Sequence, residues 1–253
     1  MSDAERSEAA FWATFLRNRN VDAATAGDGA VAVAGGYALC AAGTLVTYAV
    51  GAGAARPLRA DDFEVVEGFY GARGLPARFE LETTTAEGAA ALLQERGYAD
   101  EGVRFDVFAG PVATRPIPGG IAVRRTTDRA LFADLLTRAA AEQVADVALL
   151  RRSAQLNAAA GVLVVASVDG TDVGVGALGV TGDAAILYSG AVLPQYRRRG
   201  VHAALIAGRM NLAAGLGAST AILKTSADSP AARTAARFEL AAAGTRRRLI
   251  RAG

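Results

Sequence analysis

The chain has 253 residues, of which 27 are Lys or Arg and 25 are Asp or Glu, giving a formal net charge of +2. That is enough chain to bury one large core or two of roughly 120 residues each, and too balanced in charge for the long basic face that nucleic acid requires. One cysteine, Cys40, excludes an intrachain disulfide and a thiolate metal cluster, so no metal is expected and a reducing compartment fits. The start, Met1-Ser2-Asp3-Ala4-Glu5-Arg6, lacks the basic run and apolar middle of an export signal, and a cytoplasmic location is expected.

Apolar spacing predicts a helix at 9–19. No charged residue occurs from 29 to 55, long enough by count for a membrane helix. However, Gly35-Gly36 and Ala42-Gly43 interrupt the run where turns would fall, and its Ala and Gly content predicts short strands of a buried sheet within 30–49. A helix at 63–71, a strand at 79–83, a helix at 86–96 and a strand at 103–108 follow. Gly110-Pro111, Pro116, Pro118 and Gly119-Gly120 then mark a linker, dividing the chain into units at 1–115 and 121–253.

The second unit predicts a strand at 121–124, helices over 129–156, strands at 162–168, 173–180 and 184–193, a helix at 199–216, a strand at 220–223, a helix at 231–238 and a strand at 245–250. Val168-Asp169-Gly170-Thr171-Asp172 and Val180-Thr181-Gly182-Asp183 read as hairpin turns, making three of these strands antiparallel neighbours. The fold class expected is α/β in the α+β sense: mixed, mostly antiparallel sheet flanked by helices.

The stretch richest in chemistry is Val192-Leu193-Pro194-Gln195-Tyr196-Arg197-Arg198-Arg199-Gly200-Val201-His202. A strand leaves at Pro194, passes through an arginine-rich turn and enters a helix at a glycine. Amides in the first helical turn have no intrahelical partner and the dipole adds positive charge there, so the turn suits an anion. Gly200 permits close backbone approach, and guanidinium forks favour a phosphorylated ligand. The plainer alternative, a solvated basic helix start, sets cations against the dipole with nothing to compensate them.

These residues resemble the GNAT superfamily of acyl-CoA-dependent N-acyltransferases, whose signature is Gln/Arg-x-x-Gly-x-Gly/Ala between a strand and a helix. Arg197 and Gly200 match, and His202 stands in place of the small third residue. The resemblance covers 121–253. It implies acetyl-CoA as cosubstrate, its pantetheine arm along Ala191, Val192 and Leu193 and its pyrophosphate on Arg197, Arg198, Arg199, Gly200, Val201 and His202. Many members carry a tyrosine acid in Leu-Tyr-x-x-x-Gly-Phe; here Ala235 and Glu239 stand at the tyrosine and glycine positions. Ser229-Pro230-Ala231-Ala232-Arg233-Thr234-Ala235 resembles instead a subgroup in which two acyltransferase-like halves are joined. Gly68-Phe69-Tyr70-Gly71 and Leu92-Leu93-Gln94-Glu95-Arg96-Gly97-Tyr98 then read as the end of a degenerate first half, whose equivalent turn, around 51–62, lacks the motif and is expected not to bind CoA.

The reaction implied is direct attack of an amine, of a small molecule or a protein, on the acetyl thioester in a ternary complex. Tyr188 is the candidate for proton transfer, with Glu142, Asp146 and Glu239 as weaker ones; His202 in the turn is expected to act through its backbone. The alternative is a non-catalytic acyl-CoA-binding or regulatory module that kept the turn and lost the proton-transfer groups. RNA binding through Arg246-Arg247-Arg248 and Arg251 is disfavoured, because alternate strand residues face opposite ways. No membrane partner is expected, and a homodimer is compatible with this reading.

Overall fold

The computed structural model describes residues 3–19, 27–142, 144–227 and 229–251. The first part runs α1 (Asp3–Arg19), β1 (Gly29–Val33), β2 (Gly36–Cys40), β3 (Thr47–Val50), α2 (Ala60–Gly71), β4 (Arg78–Glu82), α3 (Thr83–Gly88), α4 (Ala90–Glu95) and β5 (Tyr98–Pro111). The uncharged run thus forms three short strands, and no described helix is long and apolar enough to cross a membrane. The single helix expected at 86–96 is two, because Ala89 leaves helical geometry at φ −103° and ψ 9°.

The second part runs β6 (Ile121–Thr126), α5 (Arg129–Ala140), α6 (Val147–Ala160), β7 (Val162–Val168), β8 (Thr171–Thr181), β9 (Ala184–Val192), α7 (Val201–Gly215), β10 (Thr220–Ser226), α8 (Pro230–Ala236) and β11 (Ala241–Arg251). Asp169 and Gly170 adopt φ of +50° and +76°, the left-handed pair that closes a tight hairpin between β7 and β8.

All described strands join one mixed sheet in the order β1-β2-β3-β4-β11-β5-β10-β9-β8-β7-β6. Each part contributes one parallel pair, β3 with β4 and β9 with β10. The last strand of each part crosses over: β11 lies against β4, and β5 lies against β10. These two exchanged strands pair antiparallel with each other, from Ala241↔Ala109 to Arg251↔Tyr98.

Helix α1 is wedged between the two parts. Phe11, Trp12 and Leu16 are buried with Leu39, Tyr48 and Val50 from β2 and β3 and with Ile186 and Ile222 from β9 and β10. Beside this apolar contact lies a buried ionic cluster. Lys224 of β10 pairs with Glu8 of α1 at 2.9 Å and Glu80 of β4 at 2.6 Å. Arg246 of β11 reaches Glu8 at 2.7 Å and Glu80 at 3.3 Å, and Arg248 reaches the other oxygen of Glu80 at 3.1 Å. Burial works to raise the Glu8 carboxyl, but Lys224 and Arg246 outweigh it and hold it low.

Glu5 is the loosely held member: its nearest cation atom, Nε of Arg246, is 3.8 Å away, and neither carboxylate oxygen has a hydrogen-bond partner. Burial raises its pKa from 4.5 to about 7, against the pull of Arg246. A carboxyl whose folded pKa is raised contributes stability at low pH that is lost as pH rises through 7. Glu5→Gln removes that loss, so the variant is expected to gain up to about 3 kcal/mol on the native chain between pH 4.5 and 8. Urea unfolding at the two ends of that range measures it.

Candidate functional site

The parallel ladder between β9 and β10 ends at Leu187↔Leu223, yet β9 continues to Val192 and β10 to Ser226. Beyond that pair the strands splay. β10 stays bonded to β5 and β9 to β8, so the edge of β9 from Tyr188 to Val192 lies open toward the gap. A bulge accompanies the splay: Tyr188 faces Ala177 and Ala191 faces Val175, with Ser189 at φ +52° absorbing the extra residue. Ala191 and Val192 belong to this open edge, and on the opposite side the Leu193 amide continues the contact with β8 by bonding the Val173 carbonyl at 2.9 Å.

The chain then makes a 3-10 turn over Pro194–Tyr196 and two left-handed residues, Arg198 at φ +61° and Gly200 at φ +83°. The first helical bond of α7 runs from the Ala204 amide to the Gly200 carbonyl at 3.0 Å, and no side chain caps the helix start. The amides of Val201, His202 and Ala203 therefore precede the helical ladder at the positive end of a fifteen-residue helix.

The three arginines do different things. Arg197 folds back onto protein, donating to the Val192 carbonyl at 3.3 Å and the Ala139 carbonyl at 2.9 Å and pairing with Glu142 at 3.1 Å. It clamps the turn to the end of α5. Arg198 and Arg199 are exposed, and Arg199 lies over the Tyr196 ring at 5.3 Å. His202 turns its ring under β9, and burial, reinforced by Arg209, lowers its pKa to about 4, so it is neutral at neutral pH.

The equivalent helix start in the first part is already filled. The Asp62 carboxylate accepts from the Arg59 amide at 2.8 Å and holds Arg56 in a two-pronged pair at 2.6 and 2.7 Å. An internal carboxylate thus binds the amide just before α2, where α7 has Gly200 and no such group.

The proton-transfer candidates are spread apart. Tyr188, on the α1 face of the splay, donates its hydroxyl to the Asn157 carbonyl at 3.2 Å, packs at 5.7 Å from Phe11 and 5.3 Å from Trp12, and is pushed up in pKa by burial. Glu142 holds Arg197, Asp146 caps α6 through the Leu149 amide at 2.8 Å, and Glu239 pairs with Arg115 at 2.7 Å. Glu239 has φ +59°, the left-handed conformation that suits the family's glycine there, while Ala235 is buried. Arg246 and Arg248 lie in the internal cluster rather than on a free face. Lys224, the chain's one lysine, lies on β10 immediately past the end of the ladder.

Residues 129–238 match the Acetyltransferase (GNAT) family. A GCN5-related N-acetyltransferase from Kribbella flavida superposes over 100% of this chain and 97% of its own, with a TM-score of 0.71 at 19% identity. A tandem GNAT protein from the clavulanic acid biosynthesis pathway superposes over 81% of this chain and 73% of its own, with a TM-score of 0.56 at 14% identity. A GCN5-related N-acetyltransferase from Sphaerobacter thermophilus covers 75% and 66%, with a TM-score of 0.55 at 16% identity. At these identities the likeness shows the shared fold. No curated protein matches the sequence.

A Cβ at Gly200 would meet only Ile121 Cδ1, at an ordinary contact distance of 3.7 Å, so the cost of substitution there is backbone strain. Gly200→Ala is expected to lower stability by about 1–2 kcal/mol, read from the midpoint of denaturant unfolding at constant slope.

Proposed function

Because residues 129–238 match the GNAT acetyltransferase family, we propose that the protein transfers an acetyl group from acetyl-CoA to an amine, with the donor held between the β9 edge and the start of α7. The observation that carries this reading is the uncapped, glycine-started α7 beside an open strand edge, set against the filled start of α2. The donor set fits the ligand. Backbone groups of Ala191 and Val192 suit the amides of a pantetheine arm, whereas the Leu193 amide is bonded to Val173 and its carbonyl to the Tyr196 amide. The amides from Arg198 to His202 suit a pyrophosphate, with the Arg198 and Arg199 guanidiniums adding charge-assisted bonds. Arg197 keeps the turn in shape through Ala139 and Glu142.

Acetyl-CoA supplies the acetyl group as a thioester, whose C–S bond gives way to a C–N bond with the acceptor. The chain's part is to hold the carbonyl against the β9 amides near Val192, where donors to a developing oxyanion commonly contribute a few kcal/mol. The first part, with its helix start filled by Asp62, contributes the wall of α1 and the exchanged strand β5 instead of a second donor site.

Isothermal titration with acetyl-CoA, followed by thiol release across a broad amine panel, tests this reading. Binding with turnover is the expected result; the absence of any acetyl-CoA binding would overturn it. The acyl-CoA-binding module without turnover is supported by one feature, the apolar Ala235 at the usual acid position, and tight binding with no thiol release on any amine would select it.

Two variants probe the arrangement. Arg198→Ala with Arg199→Ala is expected to weaken acetyl-CoA binding about tenfold or more and to flatten its salt dependence, as titrations at low and high ionic strength would reveal. Tyr188→Phe is expected to lower kcat less than about threefold while reducing Tm, since its hydroxyl proton is committed to Asn157. A kcat loss beyond about tenfold with a displaced pH profile would instead make it the proton relay.

A further inference from the structure

Arg209 sits in the middle of α7 with no exposed surface. Its guanidinium pushes between β8 and β9, where two glycines make room: a Cβ on Gly176 would stand 2.9 Å from Nε, and one on Gly190 would stand 3.0 Å from Nη2. Nε donates to the Leu205 carbonyl at 3.0 Å, and Nη1 donates to the Tyr188 carbonyl at 3.1 Å and the Ala177 carbonyl at 3.4 Å. Nη2 has no partner. Among the described residues no carboxylate forms an ion pair with this group. Arg246, equally buried, is by contrast met by Glu8 and Glu80. The titratable groups facing Arg209 are His202 of its own helix, held neutral, and Tyr188 of β9, which turns its backbone carbonyl toward it and its hydroxyl to Asn157. From β8 it meets the Ala177 carbonyl and the bare Cα of Gly176.

A buried cation without a counter-ion is costly, and this one lies directly beneath Gly190, in the bulged, unladdered run of β9. We propose that Arg209 is a fixed positive charge that stabilises the thiolate leaving from the acetyl donor in the splay above Gly190. The inference rests on the acetyl-CoA reading. In the transfer a C–N bond forms, the C–S bonding pair passes to sulfur, and the surplus ammonium proton goes to solvent. The departing sulfur then needs either a proton or a nearby cation. Ala235 offers no proton, and Arg209 offers the cation, unscreened by water because it is buried.

The experiment is a pH titration of the bound thiol in the complex with CoA itself, followed by thiolate ultraviolet absorbance. In the native protein the thiol pKa is expected to fall by about 1 unit or more below that of free CoA. Arg209→Lys should retain most of that fall. Arg209→Met should return the thiol to its free value while calorimetric CoA affinity changes less than about threefold, a separation that a merely structural arginine would not produce. A native complex whose thiol titrates at or above free CoA overturns the proposal without recourse to a variant, as does an equal fall in Arg209→Met. Failure of CoA to bind the native chain would overturn the acetyl-CoA reading and this inference with it.

Discussion

Lys224 and Arg246 are tolerated in the interior because Glu8 and Glu80 meet them within 3.3 Å, and that requirement fixes four elements at once. Glu8 sets the rotation of α1, Glu80 the register of β4, Arg246 that of β11 and Lys224 that of β10. An apolar patch of the same size would leave each of these free to slide, whereas a buried charge out of reach of its partner costs several kcal/mol. The register of β10 has a direct consequence for the site. It sets Leu223 opposite Leu187 as the last rung of the parallel ladder, and so decides where the strands part.

The two halves of the sheet share a plan and differ in their helix starts. Each has a parallel strand pair joined through a turn and a helix, but α2 carries Asp62 in its first turn, with the Arg56 guanidinium and the Arg59 amide on its carboxylate, while α7 begins after a left-handed glycine with bare amides. One half has internalised its anion and the other leaves that place open. The asymmetry lies in a few residues of local sequence, not in the fold, and it places the candidate chemistry in the second half.

Much of this was legible in the residues. Asp169-Gly170 announced a hairpin, the uncharged run with its paired glycines announced short strands, and Gly200 after three arginines announced a helix start open to an anion. The exchange of β5 and β11 was not legible, because alternation states that a strand has an inner face and says nothing about which strand lies beside it. Nor was the burial of Arg246, Arg248 and Lys224, since charge in a sequence reads as surface until its partners are located. Arg209, a cation within a helix, carries no signal of burial in its own identity. Its signal lay elsewhere, in Gly176 and Gly190: glycine inside a strand marks a place where something else comes close.

The exchanged strands also impose an order of events on synthesis. Pairs such as Arg246↔Glu82 and Ile250↔Arg78 join residues 164 and 172 positions apart, so β4 keeps one unpaired edge until β11 has been made. The first half therefore waits beside the exit tunnel with an unsatisfied strand edge, the kind of surface that chaperones shield. Its sheet is completed only by β11, which follows every other described strand, so assembly of the second half and closure of the first become a single late event.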